Sequence, residues 1–392
     1  MLFPSQPDRS FSFPPFPVDL RFGAGIAADL GTLARSLGAR RAFLVTDPGV
    51  VMAGLTPRLS EPLSASGVEV EVFDEVRQDS GSQLIMRGAA EARRFDADLV
   101  VGLGGGSALD SAKAIAAMAT NGGSILDYVG LNKLPADPLP SICVPTTSGT
   151  GSEVSIWSVL TDDDTGMKVS AGGQRFMATV ALCDPDLTLT LPPAVTAATG
   201  MDALAHASEC YVNRACQPVS GALALQSIAF AGRSLRKAVH DGADRAARCD
   251  MMLASVLAGI AMNPTRLGLA HALAMPLGSW NLKIPHGTII ALTLPSVMAF
   301  NVEAAPERYA AVAQALGADT RGMPPLEAAR LSVEMVARLK DDLGLPRGLG
   351  ECGMNEDWVE RIVAEAMKSG NVAVNPRETS PAQLAEVLRA SI

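Results

Sequence analysis

A change of texture near residue 190 constrains this chain more than any other feature. Before it, short runs rich in Val, Leu and Phe alternate with amphipathic helical stretches. After it, nearly every segment is rich in Ala, Leu, Met and Arg, with an apolar period near 3.6 residues. In the first part, VDLRFG (18–23) reads as an edge strand, AADLGTLARSLG (27–38) as a helix and RAFLVTD (41–47) as a buried strand. GLTPRLSEPLSASG (54–67) is helical, VEVEVFDEV (68–76) a strand and SQLIMRGAAEARRFD (82–96) a helix. ADLVVGLGGGS (97–107) is a strand running into a glycine loop, and ALDSAKAIAAMAT (108–120) is the helix after it. Strands alternating with helices in this way need crossover connections, so the expected sheet is parallel. LPSICVPTT (139–147) adds a strand, and the polar turn TDDDTG (161–166) between strand-like flanks predicts a hairpin. Beyond the Pro- and Thr-rich ALCDPDLTLTLPP (181–193), stretches such as TAATGMDALAHASECYV and DRAARCDMMLASVLAGIAM predict helices only. The expectation is an α/β unit over residues 1–190 and an all-helical unit over residues 191–392, with no internal repeat.

Composition narrows the function. With 48% apolar and 19% charged residues in 392, the chain has ample material for buried cores and too much hydrophobicity for disorder. A formal charge of −9 without any Lys/Arg-rich run argues against a nucleic-acid surface or binding to an anionic membrane. The six cysteines are scattered without a CxxC pair, the pattern of buried thiols in a reducing compartment. The start, MLFPSQPDRSFSFPPFP, lacks a basic segment followed by an unbroken apolar one. No uninterrupted apolar run reaches the roughly 18 residues of a membrane span. The expected setting is the cytoplasm, and the expected partner a small molecule.

Three segments could hold a nucleotide. In Gly102-Leu103-Gly104-Gly105-Gly106-Ser107, between a strand and a helix, glycines let the backbone approach a phosphate, and the free amides of the helix start suit a pyrophosphate. A tight βα turn has the same composition, and the spacing is not the GxGxxG fingerprint. The strand RAFLV ends at Thr46-Asp47, at the carboxyl edge of the sheet, where an acidic residue can accept hydrogen bonds from a ribose diol and repel a 2′-phosphate. Asp47 followed by Pro48 is also a helix cap with proline at the first position. VPTTSGTGSEVS (144–155) could line a polar cofactor channel, or be a solvated loop.

The histidines bear on a metal. There are four: His206, His240, His271 and His286. Asp202 and His206 stand at i and i+4 of a predicted helix, so both project from one face, and Glu209 lies on that face too. His271 sits in the apolar helical run GLAHALAM, His286 follows Pro285 in a predicted loop, and His240 in RKAVHDG looks like a helix-end residue. Asp202 with three histidines would offer one oxygen and three nitrogens to a divalent cation. Buried histidines in apolar helices are also common as plain core residues, and spacing alone does not separate the readings.

Taken together, these segments resemble the iron-containing, or group III, alcohol dehydrogenase family. VTDPGV (45–50), GGGSALDSAKA (104–114), VPTTSGTGSEVS (144–155), DPDLTLTLPP (184–193), TGMDALAHASECYV (199–212), GLAHALAMPLG (268–278), IPHGTIIALTLPSVMAFN (284–301) and NPRET (375–379) carry the likeness, in order, across almost the whole chain. The resemblance implies an N-terminal α/β dinucleotide-binding domain with a parallel sheet and an all-α C-terminal domain, the dehydroquinate synthase-like architecture, with the active site in the cleft between them. It implies an NAD-dependent enzyme that moves a hydride between NAD(H) and an alcohol or its aldehyde or ketone, helped by a divalent metal, Fe2+ or else Zn2+, in a homodimer or higher homo-oligomer. Asp202, His206, His271 and His286 match the family's metal ligands. Gly104, Gly105, Gly106, Ser107 and Asp110 match the pyrophosphate segment, and Thr146, Thr147 and Thr150 match the cofactor path. Asp47 matches the acidic residue near the adenosine ribose, and Lys168 the lysine that reaches the nicotinamide ribose.

Two departures stand out. Where many members have a second histidine four residues after the third ligand, this chain has Met275, which carries no titratable proton. The 15 positions from His271 to His286 also look one residue longer than usual, through SWNLK (279–283). A metal-free reductase resembling maleylacetate reductase would lack the Asp202 pattern. A lyase resembling 3-dehydroquinate synthase would need basic residues beside the ligand motifs, where only Lys283 occurs. A nucleotide-binding module without turnover would need no metal.

Overall fold

Alternate residues of the buried strands feed two apolar layers. Ala42 and Leu44 pack with Leu30, Leu33, Leu59 and Leu63 on one face of a sheet, whereas Phe43 and Val45 pack with Ile85, Ala89, Ala112 and Ile115 on the other. The period of two along an extended chain makes this division. The computed structural model describes residues 10–279 and 284–392. They form one unit of residues 16–191 and a second of residues 192–392 with residues 10–15.

The first unit runs β1 (Asp19–Phe22), α1 (Leu30–Ser36), β2 (Arg41–Val45), α2 (Pro48–Met52), α3 (Thr56–Ala65), β3 (Glu69–Phe73), α4 (Ser82–Arg94), β4 (Leu99–Gly104) and α5 (Gly106–Thr120). It continues with β5 (Gly130–Leu131), β6 (Ser141–Pro145), β7 (Trp157–Thr161), β8 (Lys168–Gly172) and β9 (Val180–Cys183). Six strands form a parallel sheet in the order β1-β9-β6-β4-β2-β3. β4 and β6 are buried throughout while the edge strands β1 and β3 are largely open, as expected where helices cover both faces of a parallel sheet. The expected hairpin around TDDDTG is present: β7 pairs antiparallel with β8, from Trp157 opposite Gly172 to Thr161 opposite Lys168, and β5 joins β8.

The second unit is built from helices: α6 (Pro193–Val212), α7 (Pro218–His240), α8 (Arg245–Thr265), α9 (Leu269–Ser279), α10 (His286–Asn301), α11 (Pro306–Ala315), α12 (Pro325–Asp342), α13 (Val359–Ala366), α14 (Gly370–Ala373) and α15 (Pro381–Arg389). Helices α6, α7, α11, α12 and α15 start on proline, whose fixed φ suits the first helical position and whose missing N–H costs nothing there. A single apolar cluster, including Met201, Leu204, Leu235, Met251, Leu273 and Ile289, unites α6 to α10. The segment His286–Ala304 is long and apolar enough to cross a membrane by length and composition, and 67% of its window is buried. Packing against neighbouring helices accounts for its apolarity. Residues Trp280 to Lys283, and with them the expected extra residue, lie outside the described residues, as do residues 1–9 of the N-terminal stretch.

Candidate metal centre and nucleotide loops

Strands β6, β4 and β2 are neighbours and run parallel, so the segments that follow them leave the same edge of the sheet. Those segments are Thr146–Thr150, Gly105–Ser107 and Thr46–Asp47. Thr46 Oγ1 donates to the Leu103 carbonyl at 2.9 Å, and the Thr146 amide donates to the Gly104 carbonyl at 2.9 Å, which ties the three strand ends together. Gly104 has φ +148°, and a Cβ there would lie 2.7 Å from Ala108 Cβ. A Cβ on Gly106 would lie 2.7 Å from Thr150 Cγ2, so only glycine lets the Thr150 side chain close over the loop. Helix α5 starts at Gly106 behind Gly105 with no side-chain cap. Its first amides and dipole favour negative charge there.

Asp47 fills one of its two expected roles visibly. Its Oδ1 accepts from the Val50 amide at 3.0 Å and caps α2, with Pro48 at the first position. Its Oδ2 is turned to the glycine loop, 3.0 Å from where a Cβ on Gly104 would stand. Ser107 Oγ accepts from the Asp79 amide at 3.2 Å.

Two further residues of the expected cofactor set, Asp110 and Lys168, have protein partners. Asp110 is buried, and its carboxylate is taken up by protein groups. Oδ2 accepts from the Val159 amide at 3.0 Å, while Oδ1 accepts from Ser152 Oγ and lies 3.1 Å from Lys113 Nζ. It pins residues 152–159 from beneath. Lys168 Nζ lies 2.7 Å from Asp79 Oδ1, so this lysine is held in an ion pair at the start of β8. The desolvation of two nearby charges favours such pairing over a lone ammonium.

Sequence reasoning missed Lys113. Its ammonium is buried and donates to the Ser152 carbonyl at 2.9 Å, to Ser155 Oγ at 3.3 Å and to the Trp157 carbonyl. A lysine three residues after an aspartate on an otherwise apolar helix was the available signal. Beside it, burial pushes the Glu153 carboxyl up to about 7, although the charge of Lys113 pulls it the other way.

In the second unit, α6 brings Asp202, His206 and Glu209 to one buried face. His271 comes from the first turn of α9, and His286 opens α10. Their atoms converge on Asp202 Oδ1, which lies 3.3 Å from His271 Nε2, 3.9 Å from His206 Nε2 and 4.0 Å from His286 Nε2. The His206 and His271 rings stack with centroids 4.5 Å apart. Ligand atoms of Asp202, His271 and His286 all lie within 4.8 Å of one another. Among the described residues, Asp202 Oδ1 and His271 Nε2 are buried without a hydrogen-bond partner. Two such atoms facing each other at 3.3 Å fit a shared cation. One carboxylate oxygen and three imidazole nitrogens suit a divalent transition metal.

The charges agree with this picture. Burial would raise the Asp202 carboxyl, but the imidazoles of His206, His271 and His286 outweigh it and hold the group well below the usual carboxylate range. Burial would lower His271, yet the carboxylates of Glu209 and Asp202 carry it up to about 9. Glu209 Oε2 stands 2.5 Å from His271 Nδ1, a partner that sequence spacing did not reveal. His240, at the exposed end of α7, is not in the cluster. Met275 lies one turn after His271 on α9 and is partly exposed.

Comparison with known proteins is consistent along the whole chain. The family pattern described as "Iron-containing alcohol dehydrogenase" matches residues 17–185, and that described as "Fe-containing alcohol dehydrogenase family, C-terminal" matches residues 196–392. The chain is 40% identical over 356 residues to long-chain-alcohol dehydrogenase 1 of Geobacillus thermodenitrificans, covering 90% of this chain and 89% of that protein. It is 34% identical over 380 residues to the NAD-dependent methanol dehydrogenase of Bacillus methanolicus, covering 97% and 99%. A crystal structure of 1,3-propanediol oxidoreductase superposes with a TM-score of 0.95 at 36% identity, covering 98% of this chain and 100% of that one. With both halves matched and relatives aligned end to end, the chain belongs to the iron-containing alcohol dehydrogenase family and is a metal-dependent alcohol oxidoreductase.

Proposed function

We propose that this enzyme transfers a hydride between NAD(H) and a primary or secondary alcohol with an apolar tail, with Fe2+ as the native cation. Residues 16–191 form the nucleotide-binding part and residues 192–392 the metal- and substrate-binding part. The observation that carries the reading is the convergence of the His206, His271 and His286 Nε2 atoms within 4.0 Å of Asp202 Oδ1. When bound, the cation supplies a Lewis acid for the substrate oxygen and the nicotinamide supplies the hydride carrier.

Each residue then has a task. Asp202, His206, His271 and His286 hold the cation, and the single carboxylate among them leaves part of its positive charge uncompensated. The first amides of α5 hold the pyrophosphate, with Gly104 and Gly106 keeping the approach open. Thr146, Thr147 and Thr150 wall the cofactor path, and Asp47 Oδ2 accepts from the adenosine ribose. Met275 lends the substrate side an apolar, adaptable wall. The same reading takes the enzyme as a cytoplasmic homodimer. Six cysteines without a disulfide support a reducing compartment, and light scattering checks the assembly.

The test is elemental analysis of protein purified anaerobically, followed by a panel of alcohols and aldehydes with NAD(H) and NADP(H). Iron near one equivalent with NAD-linked turnover of longer primary alcohols is the expected result. Protein with full turnover and zinc in place of iron would overturn the metal assignment, and a preference for methanol the substrate class.

A further inference from the structure

Glu209 does three things with one buried carboxylate. Its Oε2 accepts from the Gly268 amide at 2.9 Å and stands 2.5 Å from His271 Nδ1, while its Oε1 accepts from the Ala270 amide at 2.7 Å. The two amides precede or open α9, so the carboxylate completes the start of that helix, where an anion is favoured. The contact to Nδ1 acts on the ring itself. An ionised carboxylate only accepts, so Nδ1 carries the hydrogen and the lone pair of the neutral imidazole is left on Nε2. Nε2 is the atom that faces Asp202 Oδ1 at 3.3 Å.

The chain leaves room for this arrangement at one further position. A Cβ on Gly268 would lie 2.7 Å from Glu209 Oε1 and 2.9 Å from Glu209 Cδ. A Cβ at 268 would therefore meet the Glu209 carboxylate first and push it from its place beside His271. Glu209 and Gly268 together fix the tautomer, the tilt and the depth of one imidazole.

We propose that Glu209 is a positioning residue of the metal centre: it fixes His271 with Nε2 presented to the cation, and Gly268 provides the space that this carboxylate occupies. The inference rests on the metal reading of Asp202, His206, His271 and His286. A residue that only capped α9 would leave metal affinity unchanged.

The experiment titrates the metal-depleted full-length enzyme with Co2+ alone, following the visible absorption of the bound ion and the affinity by competition with a chelator. Glu209→Gln keeps an acceptor for the amides but loses the anionic partner of Nδ1, and is expected to bind Co2+ about 10- to 100-fold more weakly with a shifted spectrum. Gly268→Ala is expected to weaken binding in the same direction, and serves alone if Glu209→Gln does not fold. Circular dichroism and the melting temperature of each metal-free variant monitor the fold. Folded variants that bind Co2+ within twofold of the parent, with the parent spectrum, would overturn the role of Glu209. His271→Ala separates the two claims, because parent-like Co2+ binding by that variant would instead overturn the metal reading.

Discussion

Asp202 Oδ1 lies 3.3 Å from His271 Nε2, and among the described residues neither buried atom has a hydrogen-bond partner. A buried acceptor without a partner costs about 1–3 kcal/mol, so a bound cation should stabilise the native state strongly. A ligand that binds only the native state at 100 times its Kd adds about 2.7 kcal/mol. Chelation of the purified enzyme is therefore expected to lower its melting temperature by several degrees, with recovery on adding metal back. His271→Ala should lower turnover by orders of magnitude, as expected when Lewis-acid stabilisation worth several kcal/mol is lost. It should also make the melting temperature insensitive to chelator. Full activity and full metal content in that variant would remove His271 from the site.

Asp47 predicts the choice of nucleotide. One oxygen caps α2 through Val50, and the other is turned to the glycine loop. A 2′-phosphate beside that second oxygen meets like-charge repulsion of a few kcal/mol in a partly desolvated site. The enzyme should prefer NAD(H), and Asp47→Gly should narrow the ratio of kcat/KM values for the two nucleotides by at least tenfold. Glycine is a tolerable helix cap, so stability should fall by only a few tenths of a kcal/mol. Equal efficiency of the unmodified enzyme with both nucleotides would refute the assignment.

Glu153 predicts a pH dependence of stability. Burial raises its carboxyl from an ordinary 4.5 to about 7 in the folded state. The folded protein then holds this proton more tightly than the unfolded chain does. Its contribution is fully present below about 4.5, declines as pH rises, and is lost above about 7. The decline is about 1.4 kcal/mol per pH unit within that window. Glu153→Gln should remove that slope, so the difference in melting temperature between variant and parent should shift in favour of the variant from pH 5 to pH 8. A difference independent of pH would show that Glu153 does not titrate in this range.

Met275 predicts the proton route. It follows His271 by one turn of α9, is partly exposed and offers no titratable group. The expected route for proton release is through ribose hydroxyls and water. Met275→His should introduce a new ionisation near neutrality into the pH profile of kcat and disfavour apolar alcohols relative to small polar ones. An unchanged profile and substrate ranking would place Met275 away from the reacting atoms.

Periodicity in the sequence determined the two kinds of unit by itself. Buried runs such as RAFLV and LVVGLG, alternating with amphipathic helical stretches, point to a helix-covered parallel sheet, and the 3.6-residue rhythm after residue 190 points to helices. The face that Asp202, His206 and Glu209 share was legible as well, since i, i+4 and i+7 are adjacent on any helix. What meets that face was not. Glu209 and His271 are 62 residues apart, and their 2.5 Å contact exists only because α9 starts beside α6. Asp110 and Lys168 bear the same lesson from the other side. Both stand in segments that suit a cofactor, and the fold also brings Lys113 against the first and Asp79 against the second. A charge removed from water takes the nearest opposite charge, and only the tertiary structure decides which that is.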